Sequence, residues 1–155
     1  MGENLEFISP SDQPALVGLS NFEWMAAVND GLGDLGYKVV NAAEHEDFLN
    51  KFYRLHYRVV VLDSLFAANT PEENLSLLTV QRMQMHQRRH AVFFLMGLEF
   101  ETMNPMQAFQ CSVHAVINPA ELPSLKPIIQ QVVADNDLFL QVYRDTMMQI
   151  TAWGK

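Results

Sequence analysis

The sequence predicts an α/β fold: a five-stranded parallel sheet, doubly wound in the order 2-1-3-4-5, followed by an extended C-terminal helical segment. Three observations lead there. Two runs, Arg58-Val-Val-Val-Leu62 and Ala91-Val-Phe-Phe-Leu95, are apolar almost throughout, as in strands covered on both faces. Strand-like and helix-like stretches alternate five times, which implies parallel strands joined by right-handed helical crossovers. The chain of 155 residues is 49% hydrophobic and only 18% charged, enough apolar material for one buried core.

Each element follows in order. Residues 1–13 are polar and punctuated by Gly2, Pro10, Ser11 and Asp12, and read as a linker or frayed end. The globular domain is expected over 14–133, with 134–155 as a helical extension. Ala15–Leu19 is a short apolar strand. Asn21 is placed to cap a helix through Ala26, Val28 and Leu32 that stops at Gly33 or Gly36. Tyr37–Val40 forms the second strand, and Glu44–Leu55 a helix with Phe48, Leu49, Phe52 and Leu55 on one face. The third strand, 58–62, ends at Asp63. Pro71 and Glu72 open a helix running through Leu75, Leu78, Met83 and Met85, closed by Arg88, Arg89 and His90 near the negative end of its dipole. After the fourth strand come a short helix at Met106–Cys111 and a fifth strand at His114–Ile117, halted by Asn118-Pro119. From Leu122 to Trp153 the pattern is helical.

Composition narrows the function. Ten Lys+Arg against eighteen Asp+Glu give a net charge of -8, which disfavours nucleic acid and anionic membrane surfaces as partners. The single cysteine, Cys111, excludes an internal disulfide. There is no membrane-span-length apolar run and no signal-peptide pattern at the acidic N-terminus, so a cytoplasmic domain is expected.

In an open parallel sheet, ligands bind beyond the carboxyl ends of the strands, where the strand order reverses. The positions expected at that crevice are Leu19, Ser20, Asp63, Met96, Gly97 and Asn118. Over about residues 14–133 the chain resembles a response-regulator receiver domain. Gly36-Tyr37 sits at the family's turn before the second strand, Val61-Leu62-Asp63 resembles its Asp-ended third strand, and Ala115-Val-Ile-Asn-Pro119 lies where the family has a fifth strand followed by Lys-Pro. The resemblance implies a phospho-accepting aspartate at Asp63. It also implies an acidic Mg²⁺-binding pair where this chain has Leu19 and Ser20. A Ser or Thr is implied at Met96, a lysine at Asn118 and an aromatic switch residue at Ala115. Phosphoryl transfer to a carboxylate needs a cation and positive charge, and Mg²⁺ needs carboxylates and water. Glu23 and Glu99 are the acids nearest in sequence to the strand ends. The expectation is a receiver-like module that has lost its chemistry: no catalytic residue, no metal, no cofactor, and not an enzyme. An atypical receiver, still phosphorylated or cation-binding at Asp63, is the alternative, and a flavodoxin-like small-molecule domain a third.

Other constellations are weaker. His86 and His90 have zinc-compatible spacing but also suit a basic helix end. Cys111 and His114 read as packed residues, and no glycine-rich phosphate loop follows a strand. Two apolar features point to protein partners in a signalling pathway. Leu98, Phe100, Met103 and Met106, in the segment after the fourth strand, form a candidate docking surface. The C-terminal stripe continues through Leu140, Tyr143, Met147, Ile150 and Trp153. It either projects as one long helix, burying its stripe in a homodimer, or breaks near Asp135-Asn136-Asp137 and folds back. Self-association is the favoured reading.

Overall fold

A computed structural model describes residues 12–153. Most of the expected 1–13 linker lies outside the described residues, and Gln13 already opens the first strand. The elements in chain order are β1 (Gln13–Gly18), α1 (Phe22–Asp34), β2 (Tyr37–Asn41), α2 (His45–Arg54), β3 (Val59–Asp63), a 3-10 turn (Pro71–Glu73), α3 (Leu75–Arg82), α4 (Met85–Arg88), β4 (Val92–Met96), α5 (Pro105–Gln110), β5 (Ala115–Ile117), a second 3-10 segment (Pro119–Ser124) and α6 (Leu125–Trp153). The five strands form one parallel sheet in the order β2-β1-β3-β4-β5, as expected.

Alternation of side chains along the strands splits the core in two. Leu16, Val60, Leu62, Phe93 and Leu95 face α2 and α3, where Phe48, Phe52, Leu77 and Val80 cover them. Val17, Val59, Val61, Phe94 and Met96 face α1 and α6, packing on Val28, Leu32, Leu125 and Ile129. The central strands have no polar face because both faces are buried. Asn21 caps α1 as expected, its side chain accepting from the N–H groups of Glu23 (2.9 Å) and Trp24 (3.1 Å). Gly36 supplies the φ of +92° that turns the chain into β2.

The helix expected from Pro71 to His90 is instead three pieces. Met83 and Gln84 are extended and separate α3 from α4. Arg88 explains the break. Its guanidinium is buried, donates to Val80 O (3.0 Å) at the end of α3 and to Ser112 O (2.6 Å), and lies over the Phe93 ring at 4.6 Å. It is therefore a core tie between α3, α4 and the turn before β5 rather than a solvated charge at a helix end. At the C-terminus the choice between projection and folding back is decided for projection. α6 is continuous through Asp135-Asn136-Asp137 for 29 residues, and positions 141–150 are all exposed. No helix of the described residues is long and apolar enough to cross a membrane.

The loop after β3 is held by a residue the periodicity did not mark. Asn74 is fully buried; its Nδ2 donates to Asp63 O (2.9 Å) and Ser64 O (3.1 Å), while its Oδ1 caps α3 by accepting from Leu77 N–H (3.1 Å). Asn74→Ala strips the cap, removes the donor to Ser64 O and leaves Asp63 O with Phe66 N–H, so a loss of about 2 kcal/mol is expected. Urea unfolding of the two proteins measures it; a change within error would show the loop to be held by other contacts.

Candidate functional site

The strand order reverses between β1 and β3, so the crevice opens where Gly18, Asp63, Met96 and Ile117 end their strands. Asp63 registers against Met96, and Met96 against Ile117. Two of the expected crevice positions are corrected. The side chains of Leu19 and Met96 are buried in the core on the α1/α6 face and present no group to the crevice. Both continue the inward-facing alternation of their strands, which places an apolar side chain toward the helices.

Asp63 itself is only 4% exposed. Its Oδ1 accepts from Leu65 N–H at 3.0 Å, and the backbone N–H of Ser20 is a second donor. Burial pushes its pKa above the ordinary aspartate value; the two amides oppose that shift and the Glu99 carboxylate adds to it. The charge acting on Asp63 is thus another negative one. Glu99 reaches back over Gly97, where its Oε1 accepts from Ser64 Oγ at 3.3 Å. A Cβ on Gly97 would stand 2.2 Å from that oxygen and 2.7 Å from Ser64 Oγ, so only glycine lets the carboxylate lie there. Sequence position alone puts Glu99 just past β4; the absent side chain of Gly97 leaves its carboxylate the space beside Ser64.

Ser20 and Asn118 are used structurally. Ser20 Oγ accepts from Ala67 N–H (2.9 Å) and donates to Leu65 O (3.3 Å), tying the turn after β1 to the turn after β3. Asn118 Nδ2 donates to Phe100 O (2.9 Å) and Leu98 O (3.3 Å), while its Oδ1 accepts from Ala120 N–H (2.9 Å). Where the resemblance implies a cation, this chain has an amide bonded to backbone. Glu23 is exposed in the first turn of α1. Among the described residues no group of three or more His, Cys, Asp or Glu side chains is placed to hold a metal ion.

The expected docking segment divides. Leu98, Met103 and Met106 are exposed, Leu98 by 75%. Phe100 is not a surface residue: it is 8% exposed and packs with Phe93, Leu95 and Ala108. Asn118 holds the backbone at this point by donating to Phe100 O. Phe109, which the sequence reading passed over, is exposed on α5 beside this surface. On α6 the exposed apolar residues include Tyr143, Met147 and Ile150, whereas Leu140 is half-buried against the domain and Trp153 is the last described helical residue.

The raised pKa of Asp63 has a measurable consequence. Between the ordinary aspartate value and the raised one, the folded state binds more protons than the unfolded state, so stability falls as pH rises through that window. Above that window the folded protein carries the full cost of the buried charge. Asp63→Asn keeps an oxygen for Leu65 N–H without the charge. It should melt higher than the native chain at pH 7, with the difference closing as pH falls toward the ordinary aspartate value. A variant melting no higher at pH 7 would contradict the assignment.

No protein-family model matches the chain, and no curated protein matches it. Solved structures do. The Vibrio cholerae chemotaxis response regulator CheY4 is 20% identical, with 79% of this chain and 99% of that chain covered at a TM-score of 0.58. A response regulator from Thermotoga maritima is 14% identical over 79% and 98% of the two chains, with a TM-score of 0.62. NtrX from Brucella abortus is 15% identical over 86% of this chain and 29% of its own, at 0.66. The chain has the fold of a response-regulator receiver domain, with its five parallel strands in the order 2-1-3-4-5.

Proposed function

We propose that the chain is a signal-transduction module of receiver fold that works through protein–protein contact and not through phosphorylation of Asp63. The observation that carries this reading is the field at Asp63. Its carboxylate is buried and bonded to backbone amides, and the charged side chain acting on it is Glu99. A phosphoryl group on Asp63 would bring its negative charge beside the Glu99 carboxylate, and no lysine or arginine is among the charges acting on Asp63 to offset it. Mg²⁺, the ion that the fold family implies, favours octahedral coordination with one or two carboxylates and several waters. The donor set does not fit it. Asp63 Oδ1 is engaged by Leu65 N–H, Glu99 is held by Ser64, and Leu19 and Ser20 bring no carboxylate. The Asp63–Glu99 pair is the single observation favouring the alternative, a cation or phosphoryl group at Asp63.

Contact surfaces support the module reading. Leu98, Met106 and Phe109 present large apolar side chains from the β4–α5 loop and α5, the composition of an adaptable binding face. On α6, Ile129, Val133, Asn136, Leu140, Tyr143, Met147 and Ile150 follow one another at steps of four and three. The first members of that series lie against the domain, and Tyr143, Met147 and Ile150 are 45%, 43% and 54% exposed. A stripe that keeps heptad spacing after leaving its own domain is matched by the same stripe on a second copy, which makes α6 a homodimer element.

Incubation with a small phosphodonor and Mg²⁺, followed by intact mass spectrometry, tests the first proposal. No mass gain of one phosphoryl group is expected; a stoichiometric adduct that disappears in Asp63→Asn would refute it. Light scattering tests the second. The native chain should run as a dimer and Met147→Glu/Ile150→Glu as a monomer, whereas a monomeric native chain at micromolar concentration would remove the α6 proposal.

A further inference from the structure

Away from the crevice, charge gathers at the opposite end of the sheet. His56 precedes β3 and His90 precedes β4, so both lie at the amino ends of adjacent strands. Their rings stack with centroids 4.3 Å apart and planes 18° from parallel, and Phe52 stacks on His90 at 5.7 Å. His86 and Arg89 approach from α4, and Leu140, Tyr143 and Arg144 from α6, enclosing a cleft of ≈ 320 Å³.

The cleft is cationic on a chain whose net charge is -8. No carboxylate lines it, and among the described residues neither Arg89 nor Arg144 has an ion-pair partner. Asp145 follows Arg144 on α6 but does not line the cleft and forms no ion pair with either arginine, and Asp137 is paired with Arg58. His90 Nε2 is buried and has no hydrogen-bond partner. Burial, and then the neighbouring His56, hold the pKa of His90 below the ordinary histidine value, so its ring is neutral and carries a single N–H. Two guanidinium groups without ion-pair partners, one following α4 and one on α6, line this space together with the imidazoles of His56, His86 and His90. A planar carboxylate meets one guanidinium edge-on, whereas a tetrahedral phosphate has acceptor oxygens for donors on several sides. Tyr143 and Leu140 add an aromatic and an apolar wall, and the volume is at the lower end for a small-ligand site, about 300 Å³ upward.

We propose that this cleft binds a small phosphate ester of mononucleotide size, its phosphate between Arg89 and Arg144 and its organic part against Tyr143. The inference does not rest on the receiver reading or on Asp63. The ligand would bridge α4 to the part of α6 where the helix leaves the domain.

Calorimetric titration of the full-length chain in phosphate-free buffer, with pyrophosphate and with ADP as probes, tests it. Saturable binding of both at one competing site is expected. Arg89→Gln/Arg144→Gln should weaken it about tenfold or more. Arg82→Gln, an exposed arginine on α3 outside the cleft, should leave it unchanged. So should Asp63→Asn, which separates this site from the strand-end crevice. Tighter binding of ADP than of pyrophosphate upholds a nucleotide-type ester with its base on Tyr143. Equal affinity would overturn the organic subsite and leave a phosphate site alone. No saturable binding of either probe to the native chain at millimolar concentration would overturn the proposal. So would affinity unchanged in a folded double variant, or an equal loss in Arg82→Gln.

Discussion

Burial of the sheet on both faces is the constraint from which the rest follows. Once α1 and α6 cover one face and α2 and α3 the other, no strand side chain in the middle of the sheet can meet a ligand or a partner. Polar chemistry is confined to the two ends of the strands, and contact surfaces to helices and loops beyond them. The two ends differ in sign. At the carboxyl ends the Asp63 carboxyl feels the charge of Glu99; at the amino ends His56 and His90 line one cleft with Arg89 and Arg144. An acidic chain thus holds a local excess of cationic groups at the end remote from its buried aspartate.

The loops at the carboxyl ends are organised by amides and hydroxyls rather than by ions. Asn74 grips the backbone after β3, Ser20 ties the turns after β1 and β3, and Asn118 ties the loop after β4 to the start of the segment after β5. These neutral groups satisfy buried backbone without adding charge, which suits a crevice whose ionisable groups are both acidic. His45 has a similar role. Ser76 N–H donates to its Nδ1 at 3.1 Å, so Nε2 carries the hydrogen that meets Ala67 O at 3.1 Å, linking α2 to the loop after β3.

At the other extreme of the chain, α6 has two occupations along its length. Leu125, Ile129 and Val132 complete the core, while the residues beyond Leu140 extend a compatible apolar spacing into solvent. Leu140 and Tyr143 stand at the junction, where they also wall the cationic cleft. The same short stretch of helix therefore touches the domain core, the cleft and the exposed stripe.

The five strands and the doubly wound order were legible in the sequence because burial on two faces leaves a local signature: runs such as Val59-Val-Val-Leu62 with no polar alternation. The cap at Asn21 and the turn at Gly36 were legible for the same reason, each being settled by neighbours along the chain. What tertiary structure decided depends on partners remote in sequence. The break between α3 and α4 goes with Arg88 reaching Val80 O and Ser112 O, and the burial of Phe100 with its packing in the cluster of Phe93, Leu95 and Ala108. The placing of Glu99 beside Ser64 needs the space left by Gly97, and the stacking of His56 on His90 needs β3 and β4 to be neighbours. Periodicity records which way a side chain faces. It carries no record of what that side chain meets, because the meeting is set only when the strands have taken their places.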